Sequence, residues 1–105
     1  MKIWSVLVAF ALAGCTGASS TGITEKPCPT DSTLTYASFG QSFIQDNCLE
    51  CHAHERPILS TQAQVKANAS SILEEAVYTD AMPEKGSMSL AEREMLGEWL
   101  SCGAP

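Results

Sequence analysis

The stretch Cys48-Leu49-Glu50-Cys51-His52 decides how the rest of this chain is interpreted. Its two thiols stand three residues apart, and a histidine directly follows the second thiol. This C-x-x-C-H spacing is the attachment signature of c-type haem, because two thiols on one turn of helix can add to the two vinyl groups of one porphyrin. The adjoining histidine is then held under the iron as an axial ligand. The sequence therefore predicts one covalent haem c on Cys48 and Cys51, with His52 on the iron.

Residues 1–14 have the pattern of a secretory signal peptide. Lys2 supplies a positive charge and residues 3–12 supply a short apolar run, which is too short to cross a bilayer as a helix of about 20 residues. Leu12-Ala13-Gly14-Cys15 resembles the lipobox of bacterial lipoproteins, which implies that Cys15 carries the lipid and anchors the chain firmly through several acyl chains. The alternative is an ordinary signal peptide that is cleaved nearby, with Cys15 incidental.

Export places the protein in an oxidising compartment, where disulfides persist and where bacteria attach c-type haem. We therefore expect a protein anchored by lipid to a bacterial membrane, facing the periplasm or the exterior. The residue after the lipobox cysteine is Thr16 rather than the aspartate that commonly retains lipoproteins in the inner membrane, which favours the outer membrane in a cell that has one.

The chain is acidic, with 6 Lys and Arg against 12 Asp and Glu and a formal net charge of −6. Removal of residues 1–14 takes only Lys2 from this count, which leaves 5 against 12, or −7. An acidic surface argues against nucleic acid and anionic lipid headgroups as partners, and it allows a basic docking partner. We expect the partners to be redox proteins of the cell envelope.

The composition divides the exported chain into a tether and one domain. Residues 15–33 are rich in Thr, Ser, Gly and Pro, which is typical of a flexible linker, so the folded domain is predicted to span residues 34–105. Apolar residues at helical spacing predict a helix that runs from Tyr36 into the C-x-x-C-H motif. Three capping-box patterns predict further helix starts, at Thr61, Ser71 and Ser89.

No alternation of apolar and polar residues supports a sheet, so the predicted fold class is all-α, with three to four short helices. Helices this short bury little surface, and a covalently held porphyrin would supply the missing apolar centre. Asp80–Ser89 has no helical period and contains Pro83 and Gly86, which predicts a loop between the last two helices.

A second iron ligand would come from this loop. The Met82-Pro83 pair offers a soft thioether beside a proline that stiffens the backbone, and Met82 is our first assignment. Met88, His54 and an open sixth position are the alternatives. His54 lies only two residues after His52 and cannot easily reach the opposite haem face, so we interpret it as a surface histidine or as a partner of a haem propionate.

These features together resemble the small class I (monohaem) cytochromes c. The resemblance covers roughly residues 35–103. It rests on a helix, C-x-x-C-H, short helices, a Met-Pro loop and a closing helix with an aromatic residue. It implies a cytochrome c-like fold in which Gly40 and Ile44 of the first helix cross Leu96, Gly97 and Trp99-Leu100 of the last helix. The ring of lysines typical of that family is missing here.

Further residues have predicted roles around the haem and in the domain. Pro57 would offer its carbonyl to the protonated ring nitrogen of His52, and Arg56 would either pair with a haem propionate or remain solvated. Cys28 and Cys102 are left over once Cys15 is lipidated and the motif thiols hold haem. Because they flank helices that should be neighbours, we expect a disulfide between them, the alternative being two separate thiols.

The sequence thus predicts an electron carrier with His/Met-ligated iron, acting alone or as a subunit of an oxidoreductase rather than as an enzyme in itself. A haem protein with an open or displaceable sixth ligand, acting as a peroxidase-like enzyme or a small-molecule sensor, is the alternative. A third interpretation has no haem, with Cys48 and Cys51 as a redox or zinc pair, but no thioredoxin-like pattern and no second ligand pair at zinc spacing accompanies them.

Overall fold

The computed structural model describes residues 18–84 and 86–105. The predicted signal peptide, residues 1–14, and the predicted lipid-bearing Cys15 lie outside the described residues. Within the described part the fold is all-α, as the sequence predicts, and extended backbone pairs only in one isolated antiparallel bridge between Ser20 and Thr79. No helix in this part of the chain has both the length and the apolar character that crossing a membrane requires.

Five short α-helices and two π-helical segments make up the described fold. In chain order they are a first π-helical turn at Tyr36–Gly40, α1 at Gln41–Asn47, α2 at Leu49–His52, α3 at Gln62–Ala67, α4 at Ala69–Ile72, a second π-helical segment at Leu73–Tyr78, and α5 at Leu90–Ser101. The number of helices exceeds the predicted three to four. The backbone leaves helical geometry at Cys48 and at Asn68, and each of these breaks divides one helical stretch into two helices.

Two of the three predicted capping boxes start helices. At Thr61 and Ser89 the hydroxyl accepts the amide three residues on, and that residue's side chain accepts the cap's own amide. The prediction at Ser71 is wrong, because the chain is already helical from Ala69 and the Ile72 amide donates to the Asn68 carbonyl at 3.0 Å. A hydroxyl inside a formed helix has no free amide to cap.

The first and last helical stretches cross where Gly40 meets Trp99. A Cβ atom on Gly40 would lie 2.1 Å from Cζ2 of Trp99, so only glycine permits this approach. Ile44, Leu96 and Leu100 are buried in the same core cluster as Trp99. Gly97 differs from the expectation, because its open side faces Val77 Cγ1 of the second π-helical segment and the Lys26 side chain.

Residues 19–32 lie along the helices, although their composition is typical of a flexible linker. Thr21 donates its amide to the Tyr78 carbonyl at 3.1 Å and its hydroxyl to the Val77 carbonyl at 2.6 Å. The Ser32 hydroxyl lies 3.2 Å from Glu98 Oε2 in α5. The expected disulfide between Cys28 and Cys102 is present. It joins this segment to the residue that directly follows α5. The packed unit therefore includes residues that precede the predicted boundary at 34.

Candidate haem site

One cleft brings together the residues that the sequence singles out for haem. It lies between α2, the end of the second π-helical segment and the loop that follows it, encloses about 180 Å³ and is open to solvent on one side. Cys48, Cys51, His52 and Met82 all line it. The other lining residues are Asn47, Glu50, Glu55, Arg56, Ala76, Pro83, Glu84 and Met88. The fold thus brings residues 47–56 and residues 76–88 together around the same cleft.

The lining residues separate into an apolar interior and a charged rim. Ala76 and Met88 are buried, and Met82 and Pro83 are half-buried. The charged lining residues, Glu50, Glu55, Arg56 and Glu84, are exposed and therefore stand at the mouth. An apolar interior with charges at its opening suits a ligand that is itself a flat apolar ring with charged groups on one edge.

The two motif thiols are unpaired and half-buried in the wall of this cleft. Burial raises the pKa of the Cys48 thiol to about 11, so this thiol stays protonated at neutral pH. The disulfide between Cys28 and Cys102 holds the other two described cysteines away from the motif. Both motif thiols are therefore available for covalent attachment of a ligand in the cleft.

His52 is oriented by the backbone that follows it. Its Nδ1 lies 2.9 Å from the Pro57 carbonyl oxygen and 3.2 Å from the Glu55 carbonyl oxygen. A carbonyl oxygen only accepts, so Nδ1 is the donor, and in the neutral ring Nε2 carries the lone pair. The turn is closed further by the Leu59 amide, which donates to the His52 carbonyl at 3.0 Å. The imidazole is thus held in the tautomer that a metal ligand requires.

The segment that carries Met82 is fixed on both sides of the residue. The Met82 amide donates to the Glu75 carbonyl at 2.8 Å, and the Met82 carbonyl accepts from Arg93 Nη1 at 2.9 Å. Sequence reasoning missed Arg93. Its signal was its place three and seven residues before Leu96 and Leu100, on the apolar face of α5, where a charged side chain must find partners in the interior.

The alternative sixth ligands differ in their surroundings. Met88 also lines the cleft and is buried in the core cluster, with 7% of its surface exposed. His54 is exposed and does not line the cleft, in keeping with its interpretation as a surface histidine. Arg56 is exposed and lines the cleft next to Glu55.

The residues present fit a haem c. Two free thiols, an imidazole with an open Nε2 and a thioether line the same apolar cleft. In residues 18–84 and 86–105 no three His, Cys, Asp or Glu side chains are grouped so that they could hold a bare metal ion. A histidine and methionine pair on haem iron needs no such group, because the porphyrin supplies the other ligands.

Comparisons with protein-family models, with curated proteins and with solved structures find no match to this chain.

Proposed function

We propose that this protein is an electron carrier of the class I cytochrome c type, tethered to a bacterial membrane by lipid on Cys15. One haem c is attached to Cys48 and Cys51, with His52 and Met82 as the iron ligands. The observation that carries the proposal is the single cleft lined by these four side chains, together with the His52 Nδ1 proton engaged by Pro57. Bound there, the haem supplies a one-electron Fe(III)/Fe(II) couple.

Each side chain has a distinct part in this proposal. The two thiols fix the ring covalently, so the group stays in place through repeated oxidation and reduction. His52 presents a basic Nε2, because the Pro57 and Glu55 carbonyls hold the proton on Nδ1. Met82 offers a neutral thioether, a soft ligand that favours the reduced metal and raises the reduction potential.

The size and rim of the cleft favour electron transfer over catalysis. The enclosed space of about 180 Å³ is smaller than the roughly 300–1,000 Å³ of pockets that surround a whole ligand. A porphyrin held there would take up this space and leave little room for a second substrate. The acidic rim suits a basic partner protein in the cell envelope, to which an electron could be passed.

The raised pKa of Cys48 opposes the interpretation without haem. In dithiol oxidoreductases the first cysteine of C-x-x-C has a lowered pKa, because the thiolate is the attacking species. Burial shifts the Cys48 thiol in the opposite direction, to about 11. A thiol that stays protonated at neutral pH is a poor redox nucleophile, so haem attachment is the better use of this pair.

The two methionines of the cleft provide a matched test of the ligand assignment. Met82→Leu and Met88→Leu both replace a thioether with a side chain of similar volume. We expect the oxidised wild type and Met88→Leu to show the Met–iron charge-transfer band and Met82→Leu to lack it, with a lowered reduction potential. Loss of the band in Met88→Leu instead would reassign the ligand.

Binding of CO separates the electron carrier from the sensor or peroxidase-like alternative. A reduced wild-type protein with Met82 on the iron should bind CO slowly, and Met82→Leu should bind it rapidly because the sixth position is open. Rapid CO binding by the wild type, without the Met–iron band, would favour the alternative function.

A further inference from the structure

Arg93 is a charged side chain in the interior of the molecule. Only 7% of its surface is exposed, on α5 among the apolar residues that pack against the second π-helical segment. A buried cation is costly unless it is hydrogen-bonded, so its partners indicate what it does. Its Nη1 donates to the Ala76 carbonyl at 2.7 Å and the Met82 carbonyl at 2.9 Å, with the Thr79 carbonyl at 3.4 Å.

These three carbonyls belong to the end of the second π-helical segment and the chain that leaves it. The last carbonyls of a helix have no partner within the helix and carry partial negative charge, which favours a cation beside them. Arg93 therefore caps this helix end from outside. The same guanidinium nitrogen reaches Met82, so the ligand segment and the helix end are held by one group.

The other hydrogen bonds of this segment are local or lead to residues 19–21, where the Asp80 amide donates to the Ser19 carbonyl at 3.0 Å and the Thr21 amide donates to the Tyr78 carbonyl at 3.1 Å. The Met82 amide donates to Glu75, and the Thr79 hydroxyl donates to the Glu74 carbonyl at 2.9 Å. Both close short loops within residues 74–82. Arg93 instead joins this segment to α5, where Trp99 packs against Gly40 in the helical stretch that leads to Cys48. It links the two sides of the cleft through the core.

We propose that Arg93 is a positioning residue that fixes the Met82 segment against α5 and thereby strengthens Met82 as an iron ligand; the second part rests on the proposed function. Arg93 does not line the cleft and acts through the Met82 backbone. Its effect should appear as resistance of the Met82–iron bond to displacement, beyond any effect on overall stability.

The test compares three variants of the full chain. Arg93→Met removes the donors at similar volume. Arg93→Lys keeps the charge but presents a compact ammonium, which cannot reproduce the geometry of a guanidinium. Val65→Ala truncates a fully buried side chain on α3 and serves as the control for lost stability alone.

Two measurements are made on each protein. Amide hydrogen exchange of residues 79–84 reports directly on the Met82 segment. The pH at which the oxidised protein loses the Met–iron band reports on the strength of the iron ligand. For Arg93→Met we expect exchange on the order of 10- to 100-fold faster than in wild type, from loss of hydrogen bonds to a charged donor. We also expect the band to be lost at lower pH. Val65→Ala should change neither beyond its effect on global unfolding.

The inference would be overturned if Arg93→Met and Val65→Ala, compared at equal global stability, showed the same exchange rates and lost the Met–iron band at the same pH. Arg93→Lys is expected to change both in the same direction as Arg93→Met, and it carries the test where Arg93→Met does not fold. A wild-type protein without the Met–iron band would overturn the Met82 assignment and the ligand-strengthening part with it. Unchanged exchange in Arg93→Met would overturn the positioning role and the ligand-strengthening part that depends on it, and it would leave the Met82 assignment standing.

Discussion

At the scale of single residues, Gly40 and Trp99 determine how closely the first and last helical stretches approach. The Trp99 indole is fully buried, and Tyr36 and Phe39 lie around it with ring centroids 6.3 and 5.9 Å away. A side chain at position 40 would occupy the space of the indole ring. The close approach of the two stretches therefore requires a residue without a Cβ atom at position 40.

Gly40→Ala should lower the free energy of unfolding. The added Cβ would lie 2.1 Å from Trp99 Cζ2, and overpacking of this kind costs about 1–3 kcal/mol. The better helix propensity of alanine offsets at most about 1 kcal/mol of that. Denaturant unfolding measures the change, with Ser42→Ala at an exposed position of α1 as a control expected to stay within about 0.5 kcal/mol of wild type. Equal stability of the two variants would contradict the close packing.

Single residues also show which parts of the site could be predicted from sequence. The spacing of Cys48, Cys51 and His52 is local, so the motif alone placed them on one turn. Pro57 was assigned to His52 through the family resemblance, and its carbonyl does lie beside Nδ1. Arg93 was not predicted, because its role depends on carbonyls that lie 11 to 17 residues away in sequence and become neighbours only in the fold.

At the scale of elements, α5 begins directly after Ser89, where the capping-box pattern predicts a helix start. The Ser89 hydroxyl accepts the Glu92 amide at 3.1 Å, and Glu92 Oε1 accepts the Ser89 amide at 3.1 Å. The same pattern at Ser71 failed because the preceding residues had already formed a helix. A capping box predicts a start only when the chain before it is extended, as it is at Ser89 with φ −69° and ψ 161°.

Glu92 should make the stability of α5 depend on pH. The hydrogen bond from the Ser89 amide, then that from its side chain, and the nearby Arg93 charge lower the pKa of Glu92. Because the folded state favours the ionised form, its contribution is complete above the ordinary glutamate pKa of about 4.3 and is lost as the pH falls through the lowered value.

Glu92→Gln keeps the accepting oxygen and removes the charge. We expect it to be less stable than wild type at pH 7, and we expect the difference to be smaller at a second, acid pH, because wild-type Glu92 gains a proton as the pH falls through its lowered pKa. Urea unfolding at the two pH values measures this. A difference of the same size at both pH values would show that the charge is not responsible.

At the scale of the whole molecule, residues 19–32 are held to the helices by means that composition does not reveal. Most of their contacts are backbone hydrogen bonds, hydrogen bonds from hydroxyl groups and the disulfide, and Ile23 is the hydrophobic side chain among them that packs against the core. A segment rich in Thr, Ser and Pro was therefore expected to be a free linker. The pairing of Cys28 with Cys102 could be predicted because the other cysteines already had uses.

Removal of the disulfide should destabilise the whole unit. The bridge joins residues 74 positions apart, and closing a loop of that length in the unfolded chain is worth about 2–4 kcal/mol. Cys28→Ser, Cys102→Ser and the double variant should lose the same stability, since each removes the same bond. Denaturant unfolding without reductant measures it. Losses in the two single variants that add up in the double variant would indicate separate roles for the thiols.

The central claim is that Cys48 and Cys51 hold a haem covalently, and the intact mass of the denatured, reduced protein tests it most directly. We expect the mass of the exported chain with its lipid on Cys15 plus one haem, with haem absorbance that stays with the polypeptide. A Cys48→Ala/Cys51→Ala variant should lose both the added mass and the absorbance. A wild-type chain without added haem mass, in which both motif thiols react with an alkylating reagent, would contradict the account.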